Sequence, residues 1–221
     1  MTKIHVYFMP GMAASSTIFE RIQLPVETFE MHLLEWFLPE TNEALDAYAE
    51  RMSKNVKHEN AILVGVSFGG ILVQEMKQFL NPKKVIIISS IKSNTELPKW
   101  MKVAKATNAY KLLPTSFVNN IEIIAKFAFG DYAKQRFKLY DKFLSVRDKS
   151  YLDWSIENII NWERTEIDPE IIHIHGDADE VFPIKHIKNC TIVKGGTHIM
   201  ILTKYRWLND NLPKIMLEEK A

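Results

Sequence analysis

A serine, a histidine and a pair of aspartates stand where each could reach one reacting carbonyl. Gly65-Val66-Ser67-Phe68-Gly69 follows the apolar run Ala61-Ile62-Leu63-Val64 and precedes a helix-patterned run, Ile71 to Leu80. A G-x-S-x-G at a strand–turn–helix junction puts the serine in a strained backbone conformation, and glycines on either side leave room for the turn. The strain lifts the hydroxyl above the sheet edge. A serine hydroxyl is too weakly acidic to attack a carbonyl unaided at neutral pH, so it needs a base, and the base needs a group to hold it. Gly195-Gly196-Thr197-His198 lies between a short apolar run and the last helix-patterned segment, which puts His198 in a loop at the same edge. Ile174-His175-Gly176-Asp177-Ala178-Asp179 ends a further strand-like run, and a carboxylate there projects over that edge too. Asp177 and Asp179 both qualify as the group that orients the histidine, with Glu180 a third candidate. The chain order serine, aspartate, histidine is one of three unrelated orders in which this constellation occurs. Its chemistry would be nucleophilic attack on an acyl group.

Each of these residues also has a plainer reading. Ser67 could cap a helix in a nucleotide-binding turn, but no G-x-G-x-x-G and no Walker lysine accompanies it. His198 could be a solvent-facing helix cap. His173 and His175 alternate along one strand and share a face, as a metal pair would. They lack a carboxylate of fixed geometry on a second element, so core or edge histidines is the better reading. His5, His32, His58 and His186 have no motif around them. Cys190 opens a strand-like run and reads as a small buried hydrophobe.

To bring such side chains together, the elements must form one sheet. Lys3 to Met9 reads as a buried strand ended by Pro10-Gly11, and Ser15-Ser16-Thr17 can cap a short helix to about Ile22. Phe29 to Trp36 reads as the second strand. Thr41 opens a helical stretch to about Lys57, with Ala44, Leu45, Tyr48, Ala49 and Met52 on one face. Asn60–Val66 is the third strand, Gly69–Leu80 a helix, and Lys84–Ser90 a fourth strand apolar enough to be covered on both faces. From about Lys92 to Asp168 no strand-like run appears. Helical periodicity recurs there with Trp100, Tyr110, Phe117, Phe127, Phe137, Tyr140 and Trp154, some of which would serve only to dock helices. Strands return at Ile171–His175 and Cys190–Val193, and a last helix runs from about Ile199 toward Leu217. Strands alternating with helices imply an α/β fold with a parallel sheet flanked by helices.

The chain has 221 residues, 47% hydrophobic and 25% charged, with a formal net charge of +1, which suits one compact domain carrying an insertion. Interspersed charge of near-zero sum argues against nucleic acid and against an anionic membrane surface. A single cysteine excludes an internal disulfide and fits a reducing compartment. Lys3 and the apolar residues after it faintly imitate a signal peptide, but His5, Pro10 and Gly11 interrupt them. No apolar stretch is long enough for stable membrane insertion. The expected location is cytoplasmic.

Gly65-Val66-Ser67-Phe68-Gly69, Gly176-Asp177-Ala178-Asp179 with Val181-Phe182-Pro183, and Gly196-Thr197-His198 together resemble the α/β-hydrolase fold family in its serine-nucleophile, esterase-like form. The likeness runs over nearly the whole chain, although the family's opening antiparallel hairpin is missing, which leaves about six strands. It implies a core of residues 1–91 and 169–221, with residues 92–168 as an all-helical lid. It also implies Ser67, Asp179 and His198 as the catalytic set, the family's spacing preferring Asp179 to Asp177. Met9-Pro10-Gly11-Met12 would be the oxyanion loop, the backbone N–H groups of Met12 and Phe68 receiving the developing charge. Pro10 stands where the family usually has a histidine. The function so implied is hydrolysis of a small-molecule carboxylic ester or thioester through an acyl-enzyme on Ser67, with no metal or organic cofactor. A lyase that uses the same three residues without an acyl-enzyme, and a non-catalytic small-ligand receptor, are the alternatives. Acyl length, leaving group and oligomeric state stay open.

Overall fold

The computed structural model describes residues 2–112 and 143–218. Six strands, β1 (Ile4–Met9), β2 (Phe29–Leu33), β3 (Ile62–Val66), β4 (Lys84–Ile88), β5 (Ile172–Gly176) and β6 (Thr191–Val193), form one sheet in the order β2-β1-β3-β4-β5-β6. Every neighbouring pair is parallel. β3 and β4 are buried at every position, as continuous apolar runs in a doubly covered sheet must be. Alternate residues feed two cores. Tyr7, Met9, Leu63 and Ile87 pack under α1 (Leu45–Ser53) and α2 (Phe68–Met76). Phe8, Val64, Ile86 and Ile174 face Met200 of α5 (Met200–Thr203) and Leu208 and Leu212 of α6 (Tyr205–Leu217).

The strand order locates the site. From β1 the chain crosses to β2 on one side and later returns to lay β3 on the other, so winding reverses between β1 and β3. Loops leaving the carboxyl ends of two such strands diverge and leave a crevice, the usual place for a ligand in an open α/β sheet. The loop after β1 carries Pro10-Gly11-Met12, and the turn after β3 carries Ser67.

Several elements depart from the sequence reading. β2 stops at Leu33 rather than Trp36, because the chain leaves the sheet and Trp36 turns its indole N–H to the carbonyl of Gly11, 2.9 Å away. α1 starts at Leu45, not Thr41. Asn42 takes a left-handed φ of 58°, and Ala44 is exposed while Leu45, Tyr48, Ala49 and Met52 are buried. Ser16–Phe19 forms only a 3-10 turn, and Ser15 bonds the Thr17 hydroxyl instead of capping it. The final helix breaks at Lys204 into α5 and α6. Cys190 precedes β6 and is half-buried, not core: β6 is an edge strand, with Thr191 and Ile192 exposed.

Between 92 and 168 the described residues hold α3 (Lys99–Thr107), α4 (Lys149–Asn161) and 3-10 turns, with no strand among them. Phe117, Phe127, Phe137 and Tyr140 lie outside the described residues. No helix among the described residues is long and apolar enough to cross a membrane.

Candidate active site

Ser67 sits between β3 and α2 with φ 52° and ψ −120°, a left-handed conformation that costs a non-glycine residue on the order of 1–3 kcal/mol. The surroundings over-determine it. Its N–H donates to the Ile88 carbonyl at 3.0 Å, and its own carbonyl accepts from the Ser90 hydroxyl at 2.7 Å. A side chain on Gly65 would put a Cβ 2.2 Å from the Gly69 carbonyl oxygen, and one on Gly69 would meet the Pro10 oxygen at 2.3 Å. Both approaches are possible only for glycine, which is why the motif carries it at these two positions.

The turn points the Ser67 hydroxyl at His198, whose Nε2 lies 2.8 Å from Oγ. On its other side, His198 Nδ1 lies 2.9 Å from Oδ2 of Asp179. Asp179 is buried, and its Oδ1 accepts the N–H groups of Val181 and Phe182 at 2.9 Å each. One carboxylate oxygen is therefore spent on the backbone and the other faces the imidazole. Asp177, the competing carboxylate, is exposed and accepts from the N–H of Gly195 at 2.6 Å. Glu180 is also exposed. Asp177 staples the histidine loop, and Asp179 is the carboxylate that reaches the ring.

Behind Asp179 the fold buries two further histidines. His175 Nε2 donates to the Phe182 carbonyl at 2.8 Å and stands 3.5 Å from Asp179 Oδ2. Its Nδ1 then accepts from Nε2 of His173 at 3.1 Å, leaving His173 Nδ1 a buried acceptor with no partner among the described residues. Burial pushes the pKa of both rings down, that of His173 far down, so both are neutral and neither competes with His198 for the Asp179 charge.

The loop after β1 closes the other side. A Cβ on Gly11 would lie 3.3 Å from Ser67 Cβ, so the two segments touch. Phe68 opens α2, where backbone N–H groups have no intrahelical acceptor and the helix dipole favours negative charge. Trp36 fixes the Gly11 carbonyl, and the Tyr151 hydroxyl of α4 accepts the Ala13 N–H at 3.4 Å. Val146 N–H donates to the Ala13 carbonyl at 3.0 Å, and Ser15 N–H to the Phe143 carbonyl at 3.3 Å. None of these ties has a sequence signature. The partners are tens of residues apart, and a tryptophan or tyrosine in an apolar run looks like core.

A cleft opens over Ser67 and His198. Apart from these two its lining is almost wholly apolar, with Met12, Ile18 and Leu202 from the core and Met101 and Ile159 from α3 and α4. The geometry presents a hydroxyl polarised by a held imidazole at the floor of an apolar slot.

No family model matches the chain, and no curated protein matches it in sequence. Solved structures do match over nearly its full length. A hydrolase from Pseudomonas aeruginosa superposes with a TM-score of 0.72 at 13% identity, covering 98% of this chain and 91% of that one. An esterase from Exiguobacterium antarcticum gives 0.67 at 15% identity, covering 98% and 93%. A bromoperoxidase from Bacillus anthracis gives 0.63 at 17%, covering 99% and 93%. The six-stranded parallel sheet and its flanking helices are thus the α/β-hydrolase fold.

Proposed function

We propose that this chain is a serine hydrolase cleaving a carboxylic ester or thioester of modest size. One observation carries the reading: an unbroken line of hydrogen bonds from Ser67 Oγ through His198 to Asp179, at 2.8 and 2.9 Å. In this scheme His198 Nε2 takes the proton as Ser67 Oγ bonds to the carbonyl carbon. Asp179 holds the Nδ1–H tautomer and stabilises the imidazolium that forms. The N–H groups of Met12 and Phe68 receive the tetrahedral oxyanion, each donor of this kind contributing about 3 kcal/mol in a water-poor site. His198 then protonates the leaving alcohol or thiol, and the C–O or C–S bond breaks to leave the acyl group on Ser67. A water, deprotonated by the same nitrogen, releases the acid and restores the serine. The scheme uses side chains and backbone alone. The apolar cleft suits an acyl chain, and Met101 and Ile159 make the helices of the 92–168 segment part of its wall, the role of a lid.

A fluorophosphonate probe and short p-nitrophenyl esters test this directly. The wild type should be labelled and should turn the esters over, and Ser67→Ala should lose both. Turnover that survives Ser67→Ala ends the proposal, and labelling without turnover of esters or thioesters transfers the fold to a lyase or a ligand receptor.

A further inference from the structure

At the opposite end of the sheet, three histidines with no sequence motif converge. His5 is on β1, His32 on β2 and His58 in the bend before β3, and one ring nitrogen of each lies within 4.8 Å of the others. His5 Nδ1 and His32 Nε2 are 3.0 Å apart. The His58 ring stacks on that of His5, centroids 3.5 Å apart and 6° from parallel. Glu30, paired with His5 in the β1–β2 register, sets its carboxylate oxygens 3.9 Å from His5 Nδ1 and 3.8 Å from His32 Nε2. Tyr7, on the same face, holds His58 by its Nδ1 at 2.7 Å, and its hydroxyl also accepts the Lys57 N–H at 3.0 Å. If Nδ1–H donates to the tyrosine oxygen, Nε2 of His58 keeps a free lone pair.

We infer that His5, His32, His58 and Glu30 form a binding site for a divalent transition-metal ion of the zinc type. Four-coordinate zinc takes nitrogen ligands at about 2.0–2.1 Å, which sets neighbouring ligand atoms about 3.3 Å apart. His5 Nδ1 and His32 Nε2, now joined by a hydrogen bond, are already near that spacing. An ion would take the place of the shared proton, the His58 ring would turn off its stack on His5, and the Glu30 carboxylate would swing in to complete three nitrogens and one oxygen. Tyr7 plays the part of the outer hydrogen-bond partner that orients a metal-bound imidazole. Imidazole with one carboxylate favours zinc and its neighbours over calcium or magnesium, which take all-oxygen sets. His5 and His32 are partly exposed, so an ion can enter from solvent. The site lies about 13 Å down β1 from the loop beside Ser67, judged from the strand rise. Its effect would be to clip the edge strand β2 to β1 and to the chain entering β3, stabilising the fold by mass action without touching the reaction.

Untagged protein stripped with a chelator is titrated with Zn²⁺ in a calorimeter and, separately, with Co²⁺ while its visible absorption is recorded. The expected result is one ion per chain, a four-coordinate Co²⁺ spectrum, and a melting temperature that rises and saturates with added zinc. His58→Gln and His32→Gln should each weaken binding by at least about a hundredfold, and Tyr7→Phe by about tenfold. Fluorophosphonate labelling of the wild type should be the same with and without chelator, which separates this site from Ser67. No saturable uptake by the wild type overturns the inference, and so does undiminished uptake by the His32→Gln/His58→Gln pair. If the variants fail to fold, the wild-type Co²⁺ spectrum decides: a four-coordinate, nitrogen-ligated signature supports the site and its absence sinks it.

Discussion

Asp179 divides its carboxylate between two tasks, and that division makes it testable apart from Asp177. Asp179→Asn can keep Oδ1 and the N–H bonds of Val181 and Phe182 while setting an NH2 group opposite His198 Nδ1. Two donors then face each other until the imidazole changes tautomer, which leaves Nε2 protonated and useless as a base. The expected outcome is a fall in kcat of about 10⁴-fold on a p-nitrophenyl ester with the melting temperature nearly unchanged. Asp177→Asn keeps an acceptor for Gly195 and should leave kcat within about tenfold of wild type. At this scale the sequence was informative wherever the chemistry is local. A strained serine between glycines and a histidine after a glycine pair are written in consecutive residues. Choosing between two aspartates two positions apart was not possible from residues alone, because which one turns inward depends on the backbone amides that receive it. The His5–His32–His58 group was invisible for a related reason. Its members come from three elements, and no spacing marks them until the sheet is assembled.

Among the elements, the loop after β1 depends most on its neighbours. Trp36 reaches it only because β2 ends early, and its indole N–H, together with the N–H of Ala14 at 3.1 Å, orients the Gly11 carbonyl and, through the peptide plane, the N–H of Met12. Trp36→Phe keeps the stack on Phe68, whose ring lies 5.1 Å away and 7° from parallel, but loses that bond. A neutral hydrogen bond contributes about 1 kcal/mol net, so kcat/KM should fall roughly five- to tenfold. Steady-state kinetics should place the loss in kcat, with KM almost unmoved, because donors aimed at the oxyanion act in the transition state. The strand and helix order could be read from apolar runs and turn residues, since both report local periodicity. Element ends could not. β2 stops where an indole finds a distant carbonyl, and α1 starts late where Asn42 turns left-handed. The last helix breaks at Lys204, and the structure offers no physical reason for the break beyond the backbone angles there.

For the molecule as a whole, the neutral pair His173–His175 links stability to pH. Both rings have their pKa lowered by burial from an ordinary 6.5. Above that value neither the folded nor the unfolded chain protonates them, and their contribution is fully present. As the pH falls below it, the unfolded chain takes up protons that the folded core refuses, so stability declines down to the depressed folded values. Urea midpoints should therefore drop between about pH 7.5 and about pH 5, and the drop should be shallower in His173→Leu. An equal slope in the two proteins would place the acid sensitivity elsewhere.

The knot of contacts joining 143–151 to the stretch 13–15 has a consequence for how a substrate gets in. On the proposed hydrolase reading this corner is a post: lifting residues 143–151 would let go of Ala13 from both sides and slacken the loop that carries the Met12 N–H. On that reading, substrate entry and oxyanion stabilisation fall to different corners of the site. A molecule that wedges between Tyr151 and Ala13 would leave the slot open to its acyl chain and yet slow the bond-breaking step, behaving as an inhibitor of turnover rather than a rival for the pocket.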